Sequence, residues 1–111
     1  GLWISAMDHA RVGQLMLNKG RWNDKEIISE KWIEECTTPC SIAPFYGYLW
    51  WLNDPRNGIL SGTSKSAYCA MGVGTQVIYV DPENDVVVVA RWIEQDKVSE
   101  FLRMVLASIG K

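Results

Sequence analysis

Two arrangements of polar side chains have the composition of a nucleophilic site. Asp8 and His9 could join a serine in a Ser-His-Asp triad, but neighbouring side chains on a helix diverge, so we interpret His9 as a partly exposed helix residue. Ser108 and Lys111 have the Ser-x-x-Lys spacing, which places a nucleophile and its base one helical turn apart. Because they stand in the last four residues, where chains fray, we interpret this spacing as chance.

A pair of glycines points to a different part of catalysis. Gly72 and Gly74 flank Val73 inside an otherwise apolar stretch. Glycine within a strand often marks the close approach of a ligand or another backbone, and a backbone N–H there could face a developing oxyanion. The alternative is a β-bulge that bends the strand, which spacing alone favours.

Aromatic side chains form the third candidate. The sequence has six tryptophans, and Trp50 and Trp51 are adjacent in an aromatic stretch that also contains Tyr48. On a strand, adjacent side chains face opposite sides, so one indole should enter the core. The other either packs in the core as well or lines a cleft, which would suit a small binding module.

Composition excludes several other functions. The net charge of −2 gives no electrostatic footprint for nucleic acid, and no apolar run approaches the roughly 20 residues of a membrane span. The odd cysteine count (Cys36, Cys40 and Cys69) argues against a disulfide scaffold and favours a reducing, cytoplasmic compartment. Since zinc needs about four ligands and His9 is the one histidine, we expect no metal and no cofactor.

The elements that must position these residues follow from periodicity and capping signals. Ser5 and Ser29 are suitable N-caps for helices over residues 6–18 and 30–36, joined by a polar connector. Aromatic and β-branched runs predict strands, and a later amphipathic stretch predicts a third helix. The predicted strands are residues 46–52, 70–80 and 85–92, and the predicted C-terminal helix is residues 96–109.

Together these elements predict an α+β fold in one domain, residues 1–111. It contains a three-stranded antiparallel meander, a C-terminal helix on one face of the sheet and two N-terminal helices. Val86 begins a run of four valines, which does not alternate with polar residues as a strand with one wet face would. Both faces of that strand should therefore be covered, one by the C-terminal helix and the other by the N-terminal helices or by something outside this chain.

Six short runs of residues occur along nearly the whole chain in a fixed order: Asp8-His9-Ala10-Arg11-Val12-Gly13, Leu17-Asn18-Lys19-Gly20-Arg21-Trp22, Glu30-Lys31-Trp32, Tyr46-Gly47-Tyr48-Leu49-Trp50-Trp51, Met71-Gly72-Val73-Gly74-Thr75-Gln76 and Val80-Asp81-Pro82. In this order they resemble the C-terminal part of serine hydrolases of the β-lactamase/penicillin-binding-protein superfamily. The class C-like esterases and the 6-aminohexanoate-dimer hydrolases are the most similar groups. The resemblance implies a partial β-lactamase-like fold.

The resemblance also implies roles for the glycine segment. It aligns Ala70-Met71-Gly72 with the family's Lys-Thr-Gly strand, so the Val73 N–H becomes an oxyanion donor, and Met71 and Gly74 lie beside the substrate. Alanine replaces the lysine at position 70, which favours an ester, amide or small oligomer over a β-lactam. The family's Ser-x-x-Lys nucleophile and its tyrosine base lie upstream of the matching region, so this chain alone should be inactive.

The resemblance finally implies a partner. In the family, the strand corresponding to residues 85–92 pairs with a strand from the N-terminal part. Here the apolar strand between Val86 and Trp92 should expose an unpaired edge, which invites pairing with another chain. We expect either a homo-oligomer through this strand or association with a missing N-terminal half.

Overall fold

The computed structural model describes residues 2–110 and confirms the α+β class. Within these residues it contains three α-helices, a two-stranded antiparallel sheet and a four-stranded antiparallel sheet. None of the described helices has the length and apolar character needed to cross a membrane. The elements in chain order are α1 (Ala6–Leu17), β1 (Arg21–Trp22), β2 (Lys25–Glu26), α2 (Glu30–Cys36), β3 (Trp51–Leu52), β4 (Tyr68–Gly72), β5 (Gln76–Asp81), β6 (Val86–Ala90) and α3 (Val98–Ser108).

The main sheet has four strands in the order β3-β4-β5-β6, so the predicted three-stranded meander was wrong. The stretch predicted as one strand over residues 70–80 is two strands, β4 and β5, paired from Tyr68 opposite Val80 to Gly72 opposite Gln76. Gly74 and Thr75 both have positive φ, 85° and 56°, and this left-handed pair reverses the chain. Gly74 therefore lies in the hairpin turn, Gly72 ends β4, and the unbroken pairing from Tyr68 to Gly72 contains no β-bulge.

The aromatic stretch over residues 46–52 is mostly a turn. Gly47 donates a backbone hydrogen bond to the Trp50 carbonyl, and Leu49, at φ 67°, is 78% exposed. Only Trp51–Leu52 pairs with β4. Aromatic composition predicted a strand here, but a left-handed residue in its middle is incompatible with an extended chain.

The connector over residues 21–28 is also more ordered than predicted. β1 and β2 form a hairpin around Asn23 and Asp24, whose φ angles are 49° and 64°. Two central residues with positive φ are what a two-residue hairpin loop requires, and Asn and Asp tolerate that conformation well.

The starts of α1 and α2 were predicted correctly. The hydroxyl oxygens of Ser5 and Ser29 accept hydrogen bonds from the backbone N–H groups of Asp8 and Trp32, both at 3.1 Å. The C-terminal helix begins later than predicted, at Val98, because residues 95–97 form a 3₁₀ turn.

The sheet separates two apolar clusters, one on each face. Along β5, Ile78 and Val80 pack with α1 and α2, whereas Val77 and Tyr79 pack with α3, as the strand period of two requires. β6 follows the same rule. Gly13 of α1 lies against Val87 on one face, and Val88 and Ala90 pack with the α3 cluster on the other. The expectation that both faces of the valine strand are covered is therefore confirmed.

Candidate functional site

The candidate oxyanion donor lies at the tip of the β4–β5 hairpin. Val73 is the first turn residue after β4, and its side chain is 98% exposed. Among the turn and loop hydrogen bonds of residues 2–110, none is donated by the Val73 N–H. This donor is therefore available to an external acceptor, whereas the Val73 carbonyl faces the Gln76 side-chain amide at 3.5 Å.

The outer edge of β4 is open beside this tip. β3 pairs only with Tyr68 and Cys69, so in the described part of the chain no strand flanks residues 70–72 on that side. An edge of this kind presents backbone donors and acceptors in the extended geometry that a peptide or amide can match. Gly72 leaves the edge uncrowded, because the nearest atom to a Cβ built there would be the Gln76 Cβ at 3.8 Å.

Gly74 holds the hairpin tip against an aromatic ring that the sequence did not single out. A Cβ at Gly74 would collide with the indole of Trp92, which follows the end of β6. Trp92 has φ 59° and is 76% exposed, so its six-membered ring lies against the glycine while most of its surface remains in water. The local sequence carries no signal for this contact, because it depends on a left-handed residue two positions after the strand.

Gln76 is the second site residue that sequence reasoning missed. Its Oε1 atom is buried without a hydrogen-bond partner, the single such side-chain atom found within residues 2–110. The amide lies between the Val73 carbonyl and the Gly74 backbone. A buried acceptor without a hydrogen-bond partner lowers the stability of the folded state. The turn that contains Gln76 is therefore less stable than it would be with this oxygen paired.

The paired tryptophans have different environments. Trp50 is buried in the cluster shared with α1 and α2, with its ring perpendicular to that of Tyr68 at 5.3 Å. Trp51 is half-buried, stacked on Phe45 at 6.1 Å and edge-on to Tyr46 at 4.7 Å. Trp51, rather than Trp50, therefore offers part of its surface to a ligand.

The sequence-level triad does not assemble. Asp8 lies 2.6 Å from Arg11, and the Arg11 guanidinium holds the pKa of this carboxyl below its ordinary value. His9 is buried instead of partly exposed, which corrects our expectation. Ser108 donates its hydroxyl to the Val105 carbonyl at 2.6 Å, and the Lys111 of the Ser-x-x-Lys spacing lies outside the described residues.

A buried polar cluster surrounds Asp81, at the end of β5. The carboxylate is fully buried and accepts hydrogen bonds from Ser64 Oγ, Tyr79 Oη at 2.7 Å, and the backbone N–H and side chain of Asn84. Burial works to raise the pKa of Asp81, but these donors outweigh it and lower the pKa. With its lone pairs occupied, the carboxylate fixes structure and is not presented as a base.

The cysteines are free thiols and offer no reactive centre in the core. Burial raises the pKa of Cys69 to about 12 and also raises the pKa of Cys36. In the described chain no three metal-ligating side chains come together.

The cavities lie away from the hairpin tip. One, of about 160 Å³, lies between α1 and α2 beside Tyr68. The other, of about 410 Å³, is an open depression lined by the loop over residues 53–65. The candidate site is therefore a strand edge and a hairpin tip, which a second surface would have to cover to make a cleft.

Comparison with known proteins identifies a solved structure with a similar fold. No family model and no curated protein matches the chain. A solved structure, a putative 6-aminohexanoate-dimer hydrolase from Bacillus anthracis, superposes with a TM-score of 0.64 at 23% identity over 93% of this chain. The match covers only 28% of that protein. The resemblance inferred from sequence is thus confirmed at the level of fold: the chain has the structure of one part of such a hydrolase.

Proposed function

We propose that this chain is the oxyanion-side portion of a β-lactamase-like serine hydrolase and that it is inactive without the portion carrying the nucleophile. The observation that carries the proposal is the position of the Val73 N–H, exposed at the end of an open strand edge in a fold shared with a hydrolase. A strand with a free edge beside a free backbone donor is suited to hold an acyl substrate.

The proposed chemistry is acyl transfer. Attack on an ester or amide carbonyl places negative charge on its oxygen, and a preorganised backbone N–H stabilises that charge. Val73 supplies one donor, and Gly72 keeps the approach to it open. The nucleophile, its base and the second donor belong to the portion that this chain does not supply.

The substrate is proposed to be an uncharged ester, amide or short oligomer. Ala70 stands where a lysine would hold a carboxylate, so no cation is present at that position of the edge. Met71, Gly74 and Trp51 are placed along or beside the edge and would contact the acyl or leaving group. Trp50 is buried in the apolar cluster against which Ala70 packs, so it would act on this region only through that packing.

The first experiment measures hydrolysis of p-nitrophenyl acetate by the purified chain. We expect a rate equal to that of the heat-denatured chain, because no nucleophile and base are assembled. Saturable turnover that one serine-to-alanine substitution abolishes would contradict the proposal.

The second experiment tests Val73 in a reconstituted enzyme. The chain is co-expressed with the N-terminal portion of a hydrolase of this fold, and ester turnover of the complex is measured. Val73→Pro removes the N–H and should lower kcat by about 100-fold, whereas the matched control Val73→Ala keeps the N–H and should stay within about threefold. Equal effects of the two variants would exclude a role for this donor.

A further inference from the structure

The loop that carries the candidate oxyanion donor lacks the hydrogen bonds that usually fix a turn. Residues 73–75 connect β4 to β5, with Gly72 paired to Gln76 at the base. Among the turn and loop hydrogen bonds of residues 2–110, none joins a backbone group of this loop to another backbone group. The Val73 side chain is 98% exposed and adds no packing. The direction of the Val73 N–H therefore depends on contacts made by residues outside the loop.

The loop also contains a strained residue. Thr75 has φ 56°, in the left-handed region, although its side chain is β-branched. This region is unfavourable for such a side chain because the branched Cβ crowds the backbone. A strained conformation persists only where the surrounding groups hold it in place. Two side chains are positioned to do so, one by a hydrogen bond and one by packing.

Gln76 makes the one side-chain hydrogen bond to this loop within the part of the chain that the structure describes. Its Nε2 donates to the Val73 carbonyl oxygen at 3.5 Å, which is long for such a bond. The Oε1 atom of the same amide is buried and has no partner. In water the amide would satisfy both groups, so its place against the loop is maintained by what packs around it.

The indole of Trp92 supplies this packing. A Cβ built at Gly74 would collide with Trp92 Cζ3, and would lie 2.7 Å from Trp92 Cε3 and 2.9 Å from Gln76 Nε2. The ring and the amide therefore meet beside Gly74, on the same side of the loop. Glycine at this position leaves room for both groups and adopts φ 85° without strain.

We propose that Gln76 and Trp92 are positioning residues for the oxyanion donor. The amide holds the Val73 carbonyl and the indole holds Gly74, so together they fix the backbone that presents the Val73 N–H. A donor held in place before the reaction stabilises the developing charge without first having to reorganise. The inference rests on the proposed function, because it assigns the two side chains a role in that acyl transfer.

The first test measures the order of the loop in the chain itself, without catalysis. NMR relaxation gives the order parameters of the Val73 and Gly74 amides, which we expect to be about 0.8 or above in the parent and below about 0.6 in Gln76→Met. Methionine keeps the length of the side chain but loses the amide. Trp92→Ala should have the same effect. The matched control is Gln14→Met, at a half-buried glutamine of α1, which should leave both values unchanged.

The second test asks whether Gln76 acts through the Val73 N–H. In the reconstituted enzyme, Gln76→Met should lower kcat for ester hydrolysis by about tenfold and leave KM within about twofold, since the donor acts on the transition state. In a Val73→Pro background, which lacks the N–H, the same substitution should cause less than about twofold further loss. A general loss of stability would instead reduce turnover in both backgrounds.

Order parameters in Gln76→Met and Trp92→Ala equal to those of the parent would overturn the proposal. So would losses of kcat that multiply in the double variant. Failure of the proposed function gives a different result, in which Val73→Pro and Val73→Ala have equal effects on turnover. If the loop nevertheless loses order in Gln76→Met, the two side chains hold the loop but have no part in catalysis.

Discussion

At the scale of single residues, the Asp81 carboxylate links three parts of the chain. It receives donors from Ser64 in the loop before β4, from Tyr79 on its own strand, and from Asn84 in the following turn. Burial, and then the hydrogen bond to the negatively charged Asp81, raise the pKa of the Tyr79 phenol, so Tyr79 remains a donor. The cluster therefore fastens one end of the sheet to its flanking loops.

Replacing Asp81 with asparagine should destabilise the fold by about 2–3 kcal/mol at pH 7, because a buried NH₂ group would then face donors. The folded pKa of Asp81 is lowered, so its contribution is present above the unfolded value of 3.8 and is lost as the pH falls through the folded pKa. The difference in unfolding free energy between parent and variant, measured in urea, should therefore become smaller below about pH 4.

Asp54→Asn is the matched control for that experiment. Arg56 lowers the pKa of Asp54 to about 2, but its guanidinium is exposed and the Asp54 carboxylate, unlike that of Asp81, is only partly buried. Its removal should change the unfolding free energy little. If Asp54→Asn lowered the free energy of unfolding as much as Asp81→Asn, burial of the Asp81 cluster would not be the reason for its contribution to stability.

The sequence indicated some of these residues and could not indicate others. The Asp81 turn was predictable, because Asp, Pro and Asn mark turns locally. The donors Ser64 and Tyr79 were not, since they depend on loop placement. In the same way Val73 was proposed from its glycines, whereas Gln76 and Trp92 entered the site only through the geometry of the hairpin.

At the scale of elements, helix α1 contacts the sheet at a glycine. Gly13 lies in the middle of α1, where glycine normally weakens a helix. A Cβ at this position would come within 2.6 Å of Val87 Cγ1 and 3.0 Å of Ile78 Cγ2. Since a β-branched side chain on a strand has little rotamer freedom, the close approach of helix and sheet requires glycine here.

Gly13→Ala should therefore destabilise the fold by about 1–3 kcal/mol, although alanine is the better helix former. In a Val87→Ala background the closer of the two obstructing methyl groups is absent and only the Ile78 methyl group, at 3.0 Å, remains, so the same substitution should cost at least about 1 kcal/mol less than in the parent. Urea unfolding of the four proteins gives the coupling free energy. Additive effects would show that α1 does not rest on Val87.

Which elements were predictable depends on whether their signals are local. The serine caps and the α3 periodicity are local: α1 and α2 begin where expected, and α3 forms within the predicted stretch but starts at Val98. The division of residues 68–81 into two strands required Gly74 and Thr75 to adopt positive φ, and threonine gives no such signal. Leu49 broke the aromatic strand for the same reason.

At the scale of the whole molecule, one sheet is shared by two apolar clusters. Met16 and Ile33 lie in the cluster under α1 and α2, whereas Leu102 and Val98 lie in the cluster under α3. Each cluster is lined on one side by residues of β4 and β5. Because both clusters use the same strands, the loss of one should remove support from the other.

Leu102→Ala tests this coupling. Leu102 is 1% exposed, and its truncation should lower the free energy of unfolding, measured in urea, by about 2–5 kcal/mol. The control is Met104→Ala, on the same helix. Because Met104 is 65% exposed, this substitution should lower the free energy of unfolding by less than about 0.5 kcal/mol. Native-state hydrogen exchange then separates the two clusters. If the sheet makes them one cooperative unit, amides in α1 lose the same free energy of protection as amides in α3. Protection in α1 that stays at the parent level would instead show that the α1 side of the sheet holds together without α3, and the fold would then consist of two units that unfold independently.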